Sequence, residues 1–432
     1  MTIRRSSFLL GLTLTAASAG PAWAQQQGAD GAAHGTGEAL LQVLSRVPAS
    51  AEVLAAPLSY VDYRALETAR PGAATPASFA ELMALLEADD ASGNAWFAAA
   101  QGISSGPSAL LRELFSEGAL WPDSVGLDFF DIDRAAQFGS PPATGVVLLG
   151  AFQPEAIAAA YEGRGYTGTT VGERTLWCSE AGCDTGLQVD LARRDPSVPF
   201  GGRLGRREPL AVSAQDVLSS ADLATLEGML AAASGEAPAV ADHPAYRALA
   251  LAPRSDVAVI QATLLSGDQV APAPDLIGLL DASPEDAAAL LAELTNTLEP
   301  LPVAEAIGIF DGATATEQVV TIALAFAAEP DAALAADSVI QRLGAARSLV
   351  SDVSMSELLA ERGVTAIDGW TLPATEGVLG VAVIELRAPL AAEGPDPGSG
   401  SMTPSSRLYR LFVDMIYRRD VLWLAPSVAP AE

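Results

Sequence analysis

The sequence predicts an α+β protein, with a helical N-terminal portion followed by two modules of antiparallel or mixed sheet packed with helices. Three observations predict it. Apolar residues recur at three- and four-residue spacing up to about Gly118; beyond Trp121, short apolar runs bounded by Gly and Pro alternate with helical stretches; and that succession occurs twice.

The chain opens MTIRRSSFLLGLTLTAASAGPAWAQ, with two arginines, an apolar run from Phe8 to about Ala17 and the small-residue site Ala22-Trp23-Ala24. Charge, apolar core and A-x-A in that order predict a cleavable secretory signal over residues 1–24, cut after Ala24. The apolar run is too short for a membrane span, so no transmembrane segment is expected in the mature chain. Arg4-Arg5 followed by Ser-Ser-Phe8 resembles the twin-arginine signal with its phenylalanine one residue late, and general secretion stands beside it. Residues 25–37, QQQGADGAAHGTG, are polar and glycine-rich and are expected to be disordered.

The first module is placed at 38–250. EALLQVLSRVP, FAELMALLEADD and PSALLRELFSEG predict helices, and PLSYVDY a strand. DRAAQ is expected to be a turn, with GVVLLGAF a buried strand after it. Pro154 starts the helix QPEAIAAAYEGRG. YTGTTVGERTLWC and GLQVDLARR are expected as hairpin strands around the cysteines. PLAVSAQDVLSSA adds two short strands, and ADLATLEGMLAAASG another helix.

The second module is placed at 251–432. DVAVIQATLLSG predicts a strand, and SPEDAAALLAELTNTL a helix whose Ser283 and Asp286 have capping-box spacing. AEAIGIFDGA and TEQVVTIALAF predict a strand pair, EPDAALAADSVIQRLGAARSL a helix, and GVTAIDGWTL and GVLGVAVIELRA two more strands. A flexible insertion over 391–406, the helix SRLYRLFVDMIYRRD and a last strand, VLWLAP, complete the chain. LLGAF beside IALAF, and Phe152-Gln-Pro154-Glu155 beside Phe326-Ala-Ala-Glu-Pro330-Asp331, suggest a diverged duplication; the alternative is the chance likeness that α+β proteins share.

Composition narrows function by exclusion. The 432 residues carry a formal charge of −29, which repels nucleic acid and anionic membrane surfaces. Every basic residue other than two histidines is arginine. P-loop, Schiff-base and Ser-x-x-Lys chemistries all need a lysine and are excluded. His243 follows Asp242, a natural helix cap, and precedes Pro244, so it is expected at a helix start. One ordered histidine and a Cys-x4-Cys pair do not make a zinc site. Asp128, Asp131 and Asp133 offer oxygen ligands to calcium but lack an EF-hand's glycine and distal glutamate; Asp131 serves equally as a cap for DRAAQ. No cofactor is expected.

Gly102-Ile-Ser104-Ser-Gly106 fits the G-x-S-x-G nucleophile elbow, which must follow a strand and open a helix. ASGNAWFAAAQ before it reads as helix, so Ser104 or Ser105 is expected to cap a helix with Pro107 in its first turn. Arg193, Arg194, Arg203, Arg206 and Arg207 form the one concentration of positive charge. They are candidates for holding an anion in bidentate geometry; the alternative is pairing with the protein's own carboxylates. Cys178 and Cys183 lie one short turn apart and are expected to form a disulfide in an oxidising compartment, clasping a hairpin neck. On the C-terminal helix, Leu408, Leu411, Phe412, Met415 and Ile416 share one face, as core packing requires.

The sequence therefore points to an exported, periplasmic or secreted, non-catalytic binding or envelope-associated protein. Its partner would be a protein or small ligand of the cell envelope, met at a cleft between the modules or at the Arg193–Arg207 loop. Two alternatives stand: a secreted hydrolase using Ser104 or paired carboxylates, and a structural subunit of an envelope assembly.

Overall fold

A computed structural model describes residues 36–69, 72–104, 108–270, 283, 297–390 and 404–426. The expected signal, the segment to residue 35, the helix expected after Ser283 and most of the expected 391–406 insertion lie outside the described residues. In chain order the elements are α1 (Thr36–Leu44), α2 (Ala51–Leu54), β1 (Leu58–Asp62), α3 (Leu66–Ala69), α4 (Phe79–Glu87), α5 (Ala91–Ala100), α6 (Ser108–Glu117) and α7 (Trp121–Val125). Then come β2 (Ile132–Ser140), β3 (Ala143–Gly150), α8 (Pro154–Gly163), β4 (Tyr166–Val171), β5 (Arg174–Ser179), β6 (Leu210–Val212), β7 (Asp216–Ser220), α9 (Leu223–Ser234) and α10 (Pro244–Ala250). The remainder is β8 (Ala258–Ser266), β9 (Ala306–Ala313), β10 (Glu317–Phe326), α11 (Glu329–Ala345), α12 (Met355–Glu361), β11 (Ala366–Leu372), β12 (Gly380–Pro389) and α13 (Pro404–Tyr417).

Local chemistry sets many of these boundaries. Ser78 accepts the Glu81 N–H at 3.1 Å while Glu81 accepts the Ala77 N–H, opening α4. Asp222 accepts the Thr225 N–H at 2.9 Å to open α9, and Gly235, at φ 75°, ends that helix in the left-handed region. Ser354 and Glu357 close a capping box on α12, and proline occupies the first turn of α8 and α11.

Among the described residues the twelve strands form one sheet, in the order β11-β12-β10-β9-β8-β1-β2-β3-β7-β6-β5-β4, with every neighbouring pair antiparallel. The sheet runs unbroken past residue 250, because β1 pairs with β2 on one side and with β8 on the other, Leu58 opposite Leu264.

Strand alternation sends side chains to two faces, and helices cover both. On one face Val147 and Leu149 of β3, Leu264 of β8 and Ala323 of β10 join one cluster with Val43, Met229 and Leu249 of α1, α9 and α10. The opposite face carries two clusters. Val61 and Leu148 pack with Trp96, Trp121 and Ile157 from α5, α7 and α8. Ile309, Ile322 and Ile384 pack with Val339, Met355 and Phe412 from α11, α12 and α13.

Several expectations are corrected. DRAAQ belongs to β2, held on both edges by β1 and β3, and Asp131 instead completes a capping box with Asp128 around the short turn Phe129–Asp131. GLQVDLARR forms no strand: Asp190 accepts the Ala192 N–H and winds Leu191–Arg193 into a 3-10 turn. VLWLAP is a buried turn, since the Leu422 and Ala425 carbonyls turn inward to accept hydrogen bonds from the Arg342 guanidinium. Asp242 does not cap α10; its carboxylate accepts the Ala239 N–H one turn earlier. The last residues of the expected insertion, from Pro404 on, already belong to α13.

Candidate functional site

The loop between β5 and β6 carries the five arginines named above. It begins with the disulfide Cys178–Cys183, whose Cα atoms lie 4.7 Å apart across the turn Ser179–Gly182. The disulfide flanks the antiparallel pairing of Ser179 with Gly182, so it clasps the neck of this tight turn at the end of β5, while β5 itself pairs with β4 and β6.

Beyond the bridge the loop is tied to itself. The Asp190 N–H bonds the Leu204 carbonyl at 3.2 Å, and the Asp195 N–H bonds the Gly202 carbonyl at 2.9 Å. Gly205, at φ 62°, sits so close to the Asp190 carbonyl that a Cβ would overlap it at 1.8 Å.

Most of the arginines are spent within the protein. Arg193 pairs with Asp190 at 3.1 Å, Arg203 with Glu113 at 2.8 Å, Arg206 with Glu208 at 3.7 Å and Arg207 with Glu180 at 3.2 Å. Burial pushes the Glu208 carboxyl up to about 7, with the Arg206 charge holding it back. Arg194 is exposed and has no carboxylate partner among the described residues. The same loop leaves Leu187, Val189, Leu191 and Leu204 in water, 37%, 53%, 67% and 42% exposed. Sequence reasoning named the arginines and missed these apolar neighbours. Their signal was the failed strand GLQVDLARR, in which alternating Leu and Val suggested burial.

A separate open cleft of about 600 Å³ lies between the β4–β5 turn, the β6–β7 turn and α9. Its floor is Asp216, 1% exposed, which accepts two hydrogen bonds from Arg174 at 2.9 and 2.6 Å, one from Arg46 at 3.3 Å and one from the Ser213 hydroxyl. Burial works to raise this carboxyl, but the bonds from Arg174 and Ser213 and the two positive charges prevail and hold it below the ordinary value. Exposed Glu173, Glu227 and Glu236 stand on the rim.

Between the two clusters on the opposite face runs a polar seam. The Gln261 side chain in β8 accepts the Ser104 N–H at 2.8 Å and donates to the Gly102 carbonyl at 3.3 Å and to Asp311 of β9 at 2.7 Å. Asp311 is 1% exposed, and burial pushes its carboxyl up to about 8 despite the Gln261 bond. A small cavity of about 230 Å³ here is lined by Ser59, Ser104, Gln137 and Tyr417, so it bridges the first half of the chain and α13. The sequence signal for Asp311 was an acid inside the otherwise apolar strand AIGIFDGA.

The other candidates are engaged separately. Ser104 follows α5 and precedes α6 at Ser108, with 105–107 outside the described residues; a helix, not a strand, leads into it, so the elbow's setting is not met. The His243 ring lies edge-on to Tyr246 at 5.4 Å, and among the described residues no hydrogen bond links it with Ser104. Asp128 accepts the Phe79 and Phe130 N–H groups, Asp131 the Asp128 N–H, and Asp133 pairs with Arg64 at 2.5 Å. Each of the three carboxylates thus serves partners of its own.

Among the described residues no helix is long and apolar enough to cross a membrane. No protein-family model matches this chain, and no curated protein does. Among solved structures the chain is similar to crystal forms I and III of TP0453, each at 9% identity, with TM-scores of 0.30 and 0.28, over 87% and 86% of this chain and 98% and 97% of theirs. Form IV is similar at 10% identity and a TM-score of 0.30 over 87% of this chain and 98% of its own. A likeness this distant transfers neither fold nor function.

Proposed function

We propose that the chain is an exported, non-catalytic binding or envelope-associated protein that meets a partner protein through the loop spanning residues 187–207. One observation carries this: Leu187, Val189, Leu191 and Leu204 stand in water beside the exposed Arg193, Arg194 and Arg203. Aliphatic surface mixed with arginine is the composition of contact patches, and a lone monomer gains nothing by exposing it. The loop's own hydrogen bonds pre-order it, lowering the entropy that binding must overcome. Export rests on the secretory signal expected over residues 1–24 and on the Cys178–Cys183 disulfide, a bond that persists in oxidising compartments.

In this reading the halves 38–250 and 251–432 are modules joined at the β1–β8 pair. Each runs outward from that pair as strand, hairpin, helix and returning strands: β1, β2–β3, α8 and β4–β7 against β8, β9–β10, α11 and β11–β12. That shared order supports a diverged duplication.

The test is a pull-down from envelope extract with wild type and with Leu191→Asp plus Leu204→Asp. A partner retained by wild type and lost by the variant, at an unchanged melting temperature, is the expected outcome. Equal recovery by both sinks the loop as the contact surface. A second reading, a small ligand in the 600 Å³ cleft, draws on its rim of Glu173, Glu227 and Glu236, which favours a cationic group. Glu227→Arg would then abolish ligand recovery while leaving the protein partner in place.

A further inference from the structure

A groove of about 500 Å³ lies between α12, α13 and the turn 348–351, on the far half of the chain from the arginine loop. Arg362, Arg410 and Arg418 line it, against Asp414 and Asp420. The two acids are already engaged. Asp420, 3% exposed, accepts the Ser348 hydroxyl at 2.5 Å and the Leu349 N–H at 2.7 Å, and Asp414 faces Arg410 one helical turn away at 3.5 Å.

Arg362 follows the last turn of α12, and its Nε is shut off from water with no hydrogen-bond partner among the described residues. A buried guanidinium N–H without an acceptor is costly, and in a chain of net charge −29 the shortage of an acceptor is unexpected. Arg418, exposed just beyond the end of α13, has no carboxylate partner among the described residues either. Two guanidinium forks and the exposed Ser351 therefore face one hollow whose floor is apolar: Leu358, Leu411 and Met415.

We propose that this groove binds a small organic oxyanion, a carboxylate or phosphate carried on an apolar body. The arginine forks take the oxygens through the guanidinium nitrogens open to the groove, and the body lies on the Leu358–Leu411–Met415 floor. The site is independent of the arginine loop and of the 600 Å³ cleft.

Calorimetric titration of the full chain with phenyl phosphate tests it, with inorganic phosphate and neutral benzyl alcohol as the two partial ligands. Phenyl phosphate is expected to bind one to one, more tightly than either, with affinity falling as salt is raised. Arg362→Gln and Arg418→Gln are each expected to weaken it about tenfold or more, as loss of a charged fork should. Arg418 is exposed, so its variant folds whatever happens at Arg362, and melting curves check both. Undiminished binding by Arg418→Gln, benzyl alcohol binding as well as phenyl phosphate, or no heat above buffer would each overturn the site. Inorganic phosphate binding as tightly as phenyl phosphate would overturn the apolar half of the assignment.

Discussion

Replacing Asp311 with asparagine should stabilise the protein in mild base while leaving it nearly unchanged in mild acid. In the folded chain Asp311 is 1% exposed and keeps its proton up to about 8; in the unfolded chain it loses that proton near the ordinary carboxylate value, about 4. Across the interval between, the folded state holds one proton more than the unfolded state. Stability therefore falls as pH rises from about 4 to about 8, and the loss is complete above that. Four pKa units at roughly 1.4 kcal/mol each set a ceiling of about 6 kcal/mol, and relaxation around the seam would bring the realised figure to about 3 kcal/mol.

Asparagine has no such titration, and its side-chain oxygen can still accept the Gln261 amide that Asp311 accepts at 2.7 Å. Urea unfolding of both proteins near pH 4.5 and near pH 8.5 measures the difference and cancels the background of the other carboxylates. The variant should gain roughly 3 kcal/mol on wild type between the two conditions. A pH-independent difference, or one that grows toward acid, would show that Asp311 is not a buried neutral acid.

Other outcomes follow from particular contacts. Trp96→Ala should cost about 3–5 kcal/mol, because the indole is fully buried against Phe129 and Phe130, while Leu191→Ser should leave the melting temperature within about a degree. Arg174→Ala should cost about 3 kcal/mol by leaving buried Asp216 with Arg46 as its remaining charged partner, and urea titration measures it. Asp216 has a depressed carboxyl, so its stabilisation is present above the unfolded value and lost as pH falls through the folded one; the Arg174→Ala penalty should shrink in acid accordingly. Native protein should show no reactive thiol until reduced, and Cys178→Ser with Cys183→Ser should cost about 2 kcal/mol by loop entropy, read as a drop of a few degrees in melting temperature.

What the sequence made legible was local. α9 could be read because Asp222 and Gly235 cap it, and β9 and β10 because continuous apolar runs suit strands covered on both faces. The errors share a cause: short apolar runs do not declare their pairing. VLWLAP has a strand's composition, yet its carbonyls meet Arg342 from α11, and DRAAQ has a turn's composition, yet two neighbouring strands hold it in the sheet. Sheet order was out of reach because β1, a lone strand among helices, carries nothing that names β8 as its neighbour. The arginine loop divides in the same way. Its positive charge was plain, but Glu113, the partner of Arg203, lies far back in the chain, and no spacing rule connects the two.

The placement of β1 has a consequence for dividing the molecule. It is an early strand with two late obligations, pairing with β2 only after five helices have intervened and with β8 about two hundred residues further on. A chain severed between α10 and β8 would yield two pieces, each ending in a bare edge: Leu58–Val61 on one and Gln261–Leu264 on the other, already matched in register. Each edge alone is a template for indiscriminate strand addition. Supplied together, the pieces would be expected to find one another and restore the sheet, so the protein's least predictable contact is also its natural site for fragment complementation.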